Sequence, residues 1–319
     1  MVQAKAVRSS ERCNDMKEIL RITIKLTITC LVAAFVMGSV FAFTYNAKKH
    51  NEHLNERQTM LGLIGYGRHN DAPSDLKLHT IYRYIIEDRG RLFLGYLVPV
   101  RKEREESHEL LLVTVEGEFV KRLEAPLDPE SAIEAAARDK VLKRLLEAPK
   151  TFSYSDSTII ATVGSGRSAY LLPGRFPGFK TFIKVMLALD PAFNIVGLEI
   201  MEHEEDPGLG AEITKEYFKN QFVGKPFERL KTLGVVKEPL PDEFRKALER
   251  EKWTGASISP EDVDRINKKY RDHDIYALTG ATISSKSVTT GVGNMVKKFS
   301  YRVQALDRVI TAQKVPVTF

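Results

Sequence analysis

Leu278-Thr279-Gly280-Ala281-Thr282-Ile283-Ser284-Ser285 runs without a break into a helical pattern that puts Val288, Val292, Met295, Val296 and Phe299 on one face. The pattern predicts a helix over about 285–299. Ser284 or Ser285 offers its cap, the helix dipole favours a phosphate just ahead of it, and Thr282 places a hydroxyl there. Small residues let a bulky ligand lie on the backbone. Taken alone, the stretch also fits an ordinary Ser/Thr-rich cap. The Gly-x4-Gly-Lys-Ser/Thr spacing of a P-loop is missing.

Some seventy residues upstream stands a second loop, His203-Glu204-Glu205-Asp206-Pro207-Gly208-Leu209-Gly210, followed by Ala211-Glu212-Ile213. Pro207 fixes one φ, and the two glycines permit positive φ and close backbone approach. Leading into a helix, such a loop presents N–H groups to something flat or anionic. Three acids and a histidine invite a metal reading, but adjacent side chains cannot all converge on one ion. An acidic, solvated turn is the simpler account.

Between and before these loops the pattern is strand-rich. Ile81–Ile86 and Leu92–Val100 flank Asp88-Arg89-Gly90, a hairpin signal, and Leu110–Val115 with Phe119-Val120 continues a meander. Asp128-Pro129 opens a helix over Ala132–Leu146. Phe179–Leu189 and Ile195–Met201 are strand-like around a turn at Asp190–Asn194, and helices are predicted over Thr214–Phe222, Pro241–Glu251 and Pro260–Tyr270. Strands cluster and helices cluster, so the class is α+β. The β stretches 80–122 and 158–202, with Gly95-Tyr96 and Gly178-Phe179, fit an internal duplication or chance similarity of amphipathic strands equally well.

The N-terminus differs from all of this. Leu26 to Ala47 contains no charged residue and spans roughly 33 Å as a helix, enough for a bilayer core of about 30 Å. It is too long for the apolar core of a signal peptide and too uniformly apolar for a core helix. Lys5, Arg8, Arg12, Lys17, Arg21 and Lys25 precede it, against Lys48, Lys49 and Arg57 after it. Positive loops stay inside, so residues 1–25 are expected in the cytoplasm and everything after about 48 outside it. The two cysteines, Cys13 and Cys30, fall on the cytoplasmic or membrane side, which excludes a disulfide-stapled fold. With 319 residues, 43% of them hydrophobic, the chain has room for two folded units at most and is too apolar to be disordered. A net charge of +6 over this length is no nucleic-acid footprint.

Thr279-Gly280-Ala281-Thr282, with Pro207-Gly208-Leu209-Gly210 upstream and one N-terminal membrane helix, resembles the FMN-binding domain family. Known members include the G subunit of the Rnf electron-transport complex and the C subunit of the sodium-pumping NADH:quinone reductase. The resemblance covers about 160–300, including Gly178-Phe179 and Phe222-Val223-Gly224-Lys225. It implies FMN joined by a phosphoester to Thr282. It further implies that Thr279, Gly280, Ala281, Ser284, Ser285, Pro207, Gly208, Leu209, Gly210, His203 and Glu205 surround the cofactor. Two positions depart from the family pattern: Asp206 replaces the usual Thr, and Tyr276 stands where the attachment signal commonly has Asp, the nearest acid being Asp274.

The expected organisation is a cytoplasmic N-terminus (1–25), a transmembrane helix (26–47), an extracytoplasmic α+β segment without assigned role (48–157), an FMN-binding domain with antiparallel sheet and packed helices (158–302), and a tail (303–319). The resemblance implies a single-pass inner-membrane, electron-carrying subunit that moves no proton itself, in a complex coupling electron transfer to Na+ or H+ movement. Its partners would be membrane and peripheral subunits carrying flavin and iron–sulfur centres, and a flavin transferase during maturation. Thr282-Ile283-Ser284-Ser285-Lys286 is closer to the Rnf type. The C-type component of the sodium-pumping reductase, and a membrane-tethered sensory module without electron relay, are the alternatives.

Overall fold

The computed structural model describes residues 2–67, 70–102, 105–249 and 259–319, with side chains throughout these except at 2–19 and 46–53. Cys13, four of the six N-terminal basic side chains (Lys5, Arg8, Arg12 and Lys17), and Lys48 and Lys49 therefore lie outside the described side chains, as do Arg250 and Glu251 at the end of one predicted helix.

Helix α1 runs from Val2 to Leu63, and the chain divides into two units, Met1–Gln58 and Thr59–Phe319. Within the first, Leu20–Tyr45 is long and apolar enough to cross a membrane, with none of it buried in protein. This span starts earlier than Leu26 because Arg21 and Lys25 sit at its end, where long side chains reach past the apolar layer. Its hydroxyls bond back to carbonyls one turn earlier, Thr27 to Thr23, Thr29 to Lys25 and Ser39 to Phe35, each at 2.8 Å. That satisfies them without solvent. Cys30 is a free, exposed thiol on the same span.

The second unit is built on one eight-stranded antiparallel sheet. Its strands are β1 (Lys77–Asp88), β2 (Arg91–Lys102), β3 (Glu105–Thr114), β4 (Phe119–Ala125), β5 (Thr151–Val163), β6 (Gly166–Pro177), β7 (Phe182–Leu189) and β8 (Ile195–Glu202). They are ordered β4-β3-β2-β1-β5-β6-β7-β8. Two four-stranded meanders thus lie side by side, joined where β1 pairs with β5 from Lys77↔Thr162 to Glu87↔Thr151. The expected boundary at 157/158 falls inside β5, so β1–β4 share the sheet with the strands that follow. Nothing in local composition marks that long-range pairing. The layout repeats, but Gly95 and Gly178 are not equivalent: Gly95 lies within β2, and Gly178 lies in the turn after β6.

Arg89 (φ +51) and Gly90 (φ +77) make the two-residue turn between Asp88 and Arg91, as the hairpin signal requires. Alternation then sorts side chains between faces. On one face Ile81, Val98, Leu111, Ile160, Leu172 and Val185 form the main core. On the other, Tyr84, Leu97 and Leu110 meet Leu142 of α2 (Ala135–Leu145), and Ile159, Leu171 and Met186 meet Met60 and Leu63.

Helix α7 (Thr282–Ala312) covers the main core with Val288, Val292, Val296, Phe299, Val303 and Leu306. It is twice the predicted length, because Leu306, Val309 and Ile310 continue the apolar stripe. Beyond it the chain folds back onto β2: Arg101 N–H bonds to Pro316 C=O at 2.9 Å, and Phe319 lies 5.0 Å beneath the Arg167 guanidinium. Residues 303–319 are therefore part of the body, not a loose tail. Between β8 and α7 come α3 (Glu216–Lys219), α4 (Phe227–Leu230), β9 (Val235–Val236), α5 (Asp242–Leu248), α6 (Pro260–Tyr270) and β10 (Ile275–Tyr276). The predicted helix 214–222 is broken into α3 and flanking 3-10 turns. Ser259 caps α6 as read, accepting Asp262 N–H at 3.1 Å.

Candidate functional site

The two loops singled out in the sequence adopt the same kind of turn and meet. Leu209 N–H closes on Asp206 C=O at 3.2 Å with Pro207 and Gly208 (φ +74) between them. Ala281 N–H closes on Leu278 C=O at 3.0 Å with Thr279 and Gly280 (φ +75) between them. A positive φ at the third position is what calls for glycine in each. Leu209 lies directly against Gly280, where an added Cβ would come within 2.8 Å of its Cδ2.

Glu205 ties these turns to the sheet. It is 5% exposed, and its carboxylate accepts N–H bonds from Phe179 at 2.8 Å and Lys180 at 3.4 Å and the hydroxyl of Ser284. The turn after β6, the Pro207–Gly210 turn and the start of α7 thus converge on one buried anion. The unpaired N–H groups of the helix start favour negative charge there. Gly178 and Gly210 make room for it: a Cβ on Gly210 would lie 2.6 Å from Glu205 Oε2 and 3.0 Å from Ser284 Oγ, and one on Gly178 would overlap Oε1.

The hydroxyls around the start of α7 divide into two groups. Ser284 donates to Glu205, Ser285 donates to Ala281 C=O at 2.9 Å and accepts Leu278 N–H at 3.0 Å, and Ser287 donates to Pro177 C=O. Among the described residues nothing hydrogen-bonds the hydroxyls of Thr282 or Thr279. Thr282 is the first residue of α7, half-buried, and the N–H groups of residues 282–284 have no acceptor within the helix. Pro207, Gly208, Leu209, Thr279 and Gly280 are exposed around it.

Several of the residues expected around the cofactor have their polar atoms engaged within the protein. Glu205, Ser284 and Ser285 have their polar atoms turned inward, His203 Nδ1 accepts Glu205 N–H at 3.2 Å, and Gly210 and Ala281 are buried. The acids of the first loop also diverge: Asp206 pairs with Lys180 across the neighbouring turn, away from Glu205. That pairing holds the Lys180 ammonium above its ordinary range. The turn Gly178-Phe179-Lys180 belongs to the site, and only its Gly-Phe pair signalled this in the sequence.

The approach to Thr279 is held from behind. Gln221 clamps both sides of the Tyr276 peptide, accepting its N–H at 2.8 Å and donating to its C=O at 3.3 Å. Lys225 is buried and donates to the carbonyls of Tyr270, Arg271 and His273 at the end of α6. Burial, reinforced by nearby Arg229, pulls its ammonium down to about 8. Tyr276 packs with its ring among Phe244 and Tyr270. Asp274 is taken up by Arg229 at 2.5 Å and Gly234 N–H at 2.7 Å.

Residues 178–297 match the FMN-binding domain family. The matched stretch starts at the turn that holds Glu205 and ends within α7, so it contains both turns. Over 138 residues the chain is 31% identical to the G subunit of the proton-translocating ferredoxin:NAD+ oxidoreductase complex of Clostridium ljungdahlii. That match takes in 43% of this chain and 57% of the relative, a little over half its length. Among solved structures, the C subunit of the Na+-translocating NADH-quinone reductase of Parabacteroides distasonis is 19% identical, with 63% of this chain and 77% of that one covered and a TM-score of 0.33. NqrC of Shewanella oneidensis is 18% identical over 58% and 76%, also at 0.33. Overlap this low carries no weight for the fold, which rests on the strand order itself.

The residues fit an FMN phosphate. An unengaged hydroxyl stands on the first turn of a 31-residue helix beside N–H groups without acceptors, and Gly208 has open space where a side chain would stand.

Proposed function

We propose that this chain is the FMN-carrying subunit of a membrane complex that couples electron transfer to ion movement, of the ferredoxin:NAD+ oxidoreductase (Rnf) type. The flavin is esterified through its phosphate to Thr282. The observation that carries this reading is the pair of turns closing on α7, with Thr282 the unengaged hydroxyl at the helix start. Bound FMN supplies one-electron exchange. In attachment the Thr282 O–H gives way to an O–P bond, an activated flavin phosphoanhydride breaks its anhydride bond, and the released phosphate leaves with the proton.

The rest of the work belongs to the protein. The N–H groups of residues 282–284 and the dipole of α7 stabilise the phosphate's negative charge. Pro207, Gly208, Leu209, Thr279 and Gly280 present backbone and one apolar side chain to the flavin. No general acid or base is assigned, because outer-sphere electron exchange asks only for proximity and a suitable potential. Residues 20–45 anchor the chain in the membrane, with the N-terminus cytoplasmic and the sheet unit outside. One helix cannot form an ion path, so the coupling path lies in multi-spanning partners.

The test is a denaturing gel of the full chain matured with its flavin transferase. A fluorescent band is expected in the parent, lost in Thr282→Val and kept in Thr279→Val, with mass spectrometry finding one flavin phosphate on the Thr282 peptide. A dark parent band would overturn the reading in favour of a tethered module.

A further inference from the structure

A cavity of about 1150 Å³ lies between the sheet and α7, its near end at Ile283 beside Thr282. Along α7 it extends from Ile283 to Leu306, about 35 Å at 1.5 Å per residue. An extended peptide has no ladder to join, because β1, β5 and β6 are each paired on both sides.

The lining joins two chemistries. Leu172, Phe176, Met295, Val303 and Leu306 supply apolar walls. The charged lining groups are six cations, Arg83, Arg175, Lys184, Lys286, Lys298 and Arg302, against the single carboxylate of Asp156. Lys184 is neutralised by Glu202, and Arg175 rests 3.8 Å over the Phe182 ring. Among the described residues Lys286 and Lys298 have no acidic partner. At the far end two guanidinium groups share Asp156: Arg83, 6% exposed, through Nε at 2.8 Å and through Nη2, which also donates to Ser155 Oγ at 2.9 Å, and Arg302 through Nη1 at 3.1 Å. One carboxylate cannot saturate two forks of five donors each. Burial, with Arg83 beside it, holds the Arg302 guanidinium below its ordinary range. A second anion at this end would relieve that.

We infer that this cavity binds a long-chain fatty acid, its carboxylate on Arg302 and Arg83 and its acyl chain laid along α7 over Phe176 and Met295. A carboxylate matches the guanidinium fork. The apolar walls suit a hydrocarbon chain. The Arg302 end is out of reach of a flavin on Thr282: it lies twenty residues further along α7, about 30 Å away and beyond the span of a mononucleotide.

The experiment uses full-length protein in phosphatidylcholine nanodiscs with a diazirine analogue of palmitate, and peptide mapping after irradiation. Labelling is expected on peptides containing 172–177 and 294–306, and to be displaced by unlabelled palmitate. It should fall about tenfold in Lys298→Glu, in Arg302→Gln and in Asn294→Trp, which fills the bore. Labelling of residues 20–45, where the probe meets lipid, stays constant and serves as the internal standard. An unchanged melting temperature in Lys298→Glu and Asn294→Trp, both at exposed positions, separates lost binding from lost fold. Three results would overturn the inference: cavity peptides labelled no more than other surface peptides, labelling indifferent to these substitutions, or labelling only by a phospholipid-borne diazirine. None of these readouts depends on flavin at Thr282.

Discussion

Replacing Glu205 by alanine should loosen the site and the fold together. The carboxylate holds Phe179 N–H at 2.8 Å and the Ser284 hydroxyl, with Lys180 N–H more distant at 3.4 Å. Removing it strands the buried Ser284 hydroxyl and the part-buried Phe179 N–H at about 1–3 kcal/mol each, so a loss of about 3–4 kcal/mol follows. For a unit the size of Thr59–Phe319 that is a fall of roughly 8–12 °C in melting temperature. Glu205→Gln retains the shape and one acceptor and gives up mainly the charge, for about 1–1.5 kcal/mol and 3–4 °C. Differential scanning fluorimetry of the two variants beside the parent measures this. In-gel flavin fluorescence should drop sharply in Glu205→Ala and persist in Glu205→Gln, because only the first separates the two turns. If Glu205→Ala melts within about 2 °C of the parent and carries normal flavin, Glu205 is not the common tie.

Three further outcomes are expected. Gly210→Ala forces a Cβ to 2.6 Å from Glu205 Oε2 and should cost about 2 kcal/mol, and only partly less in the Glu205→Ala background, where the residue 205 Cβ at 2.9 Å and Ser284 Oγ at 3.0 Å remain, which a double-mutant cycle of melting temperatures resolves. Tyr276→Asp, which restores the acid of the family pattern, would place a carboxylate in the aromatic cluster of Phe244 and Tyr270. It should destabilise by about 3 kcal/mol without raising the flavin yield, and a stable variant with more flavin would contradict the packing described. Lys225 loses its proton near 8 when folded and near 10.5 when unfolded, so between these values the unfolded chain binds more protons and stability rises with pH. Urea denaturation from pH 7.5 to 10 should show this slope in the parent and lose it in Lys225→Met; an equal slope in both would remove Lys225 as its source.

Local chemistry was the readable part of this chain. Asp88-Arg89-Gly90 announced a hairpin, Ser259-Pro260 a helix start, and the apolar stripe of 288–299 the helix that carries Thr282. Partnerships across the sequence were not readable. The pairing of β1 with β5 leaves no trace in composition, so β1–β4 read as a separate segment of unknown purpose. Glu205 read as a solvated or cofactor-facing acid because its partners, Phe179 and Ser284, are 26 and 79 residues away. Ser284 and Ser285 looked equivalent to Thr282 by type and position, and only the hydrogen-bond partners tell them apart. The stripe beyond Phe299 was legible in principle: Val303, Leu306 and Ile310 keep the helical spacing, and the expected tail overlooked it.

The length of α7 fixes more than the core. Gly291 and Gly293, its natural weak points, are wedged: a Cβ at Gly291 would run into the Phe176 ring, and one at Gly293 would lie 2.9 Å from the Leu230 carbonyl oxygen. The far end is clamped by the strand-like return of residues 315–319 onto β2. Thr282 therefore rides on a stiff rod, not a swinging arm, and its bearing is set by a clamp some 45 Å away. Any reorientation of the Thr282 backbone therefore demands that the sheet unit turn with it, which ties the bearing of the proposed attachment point to rigid-body motion and not to loop dynamics.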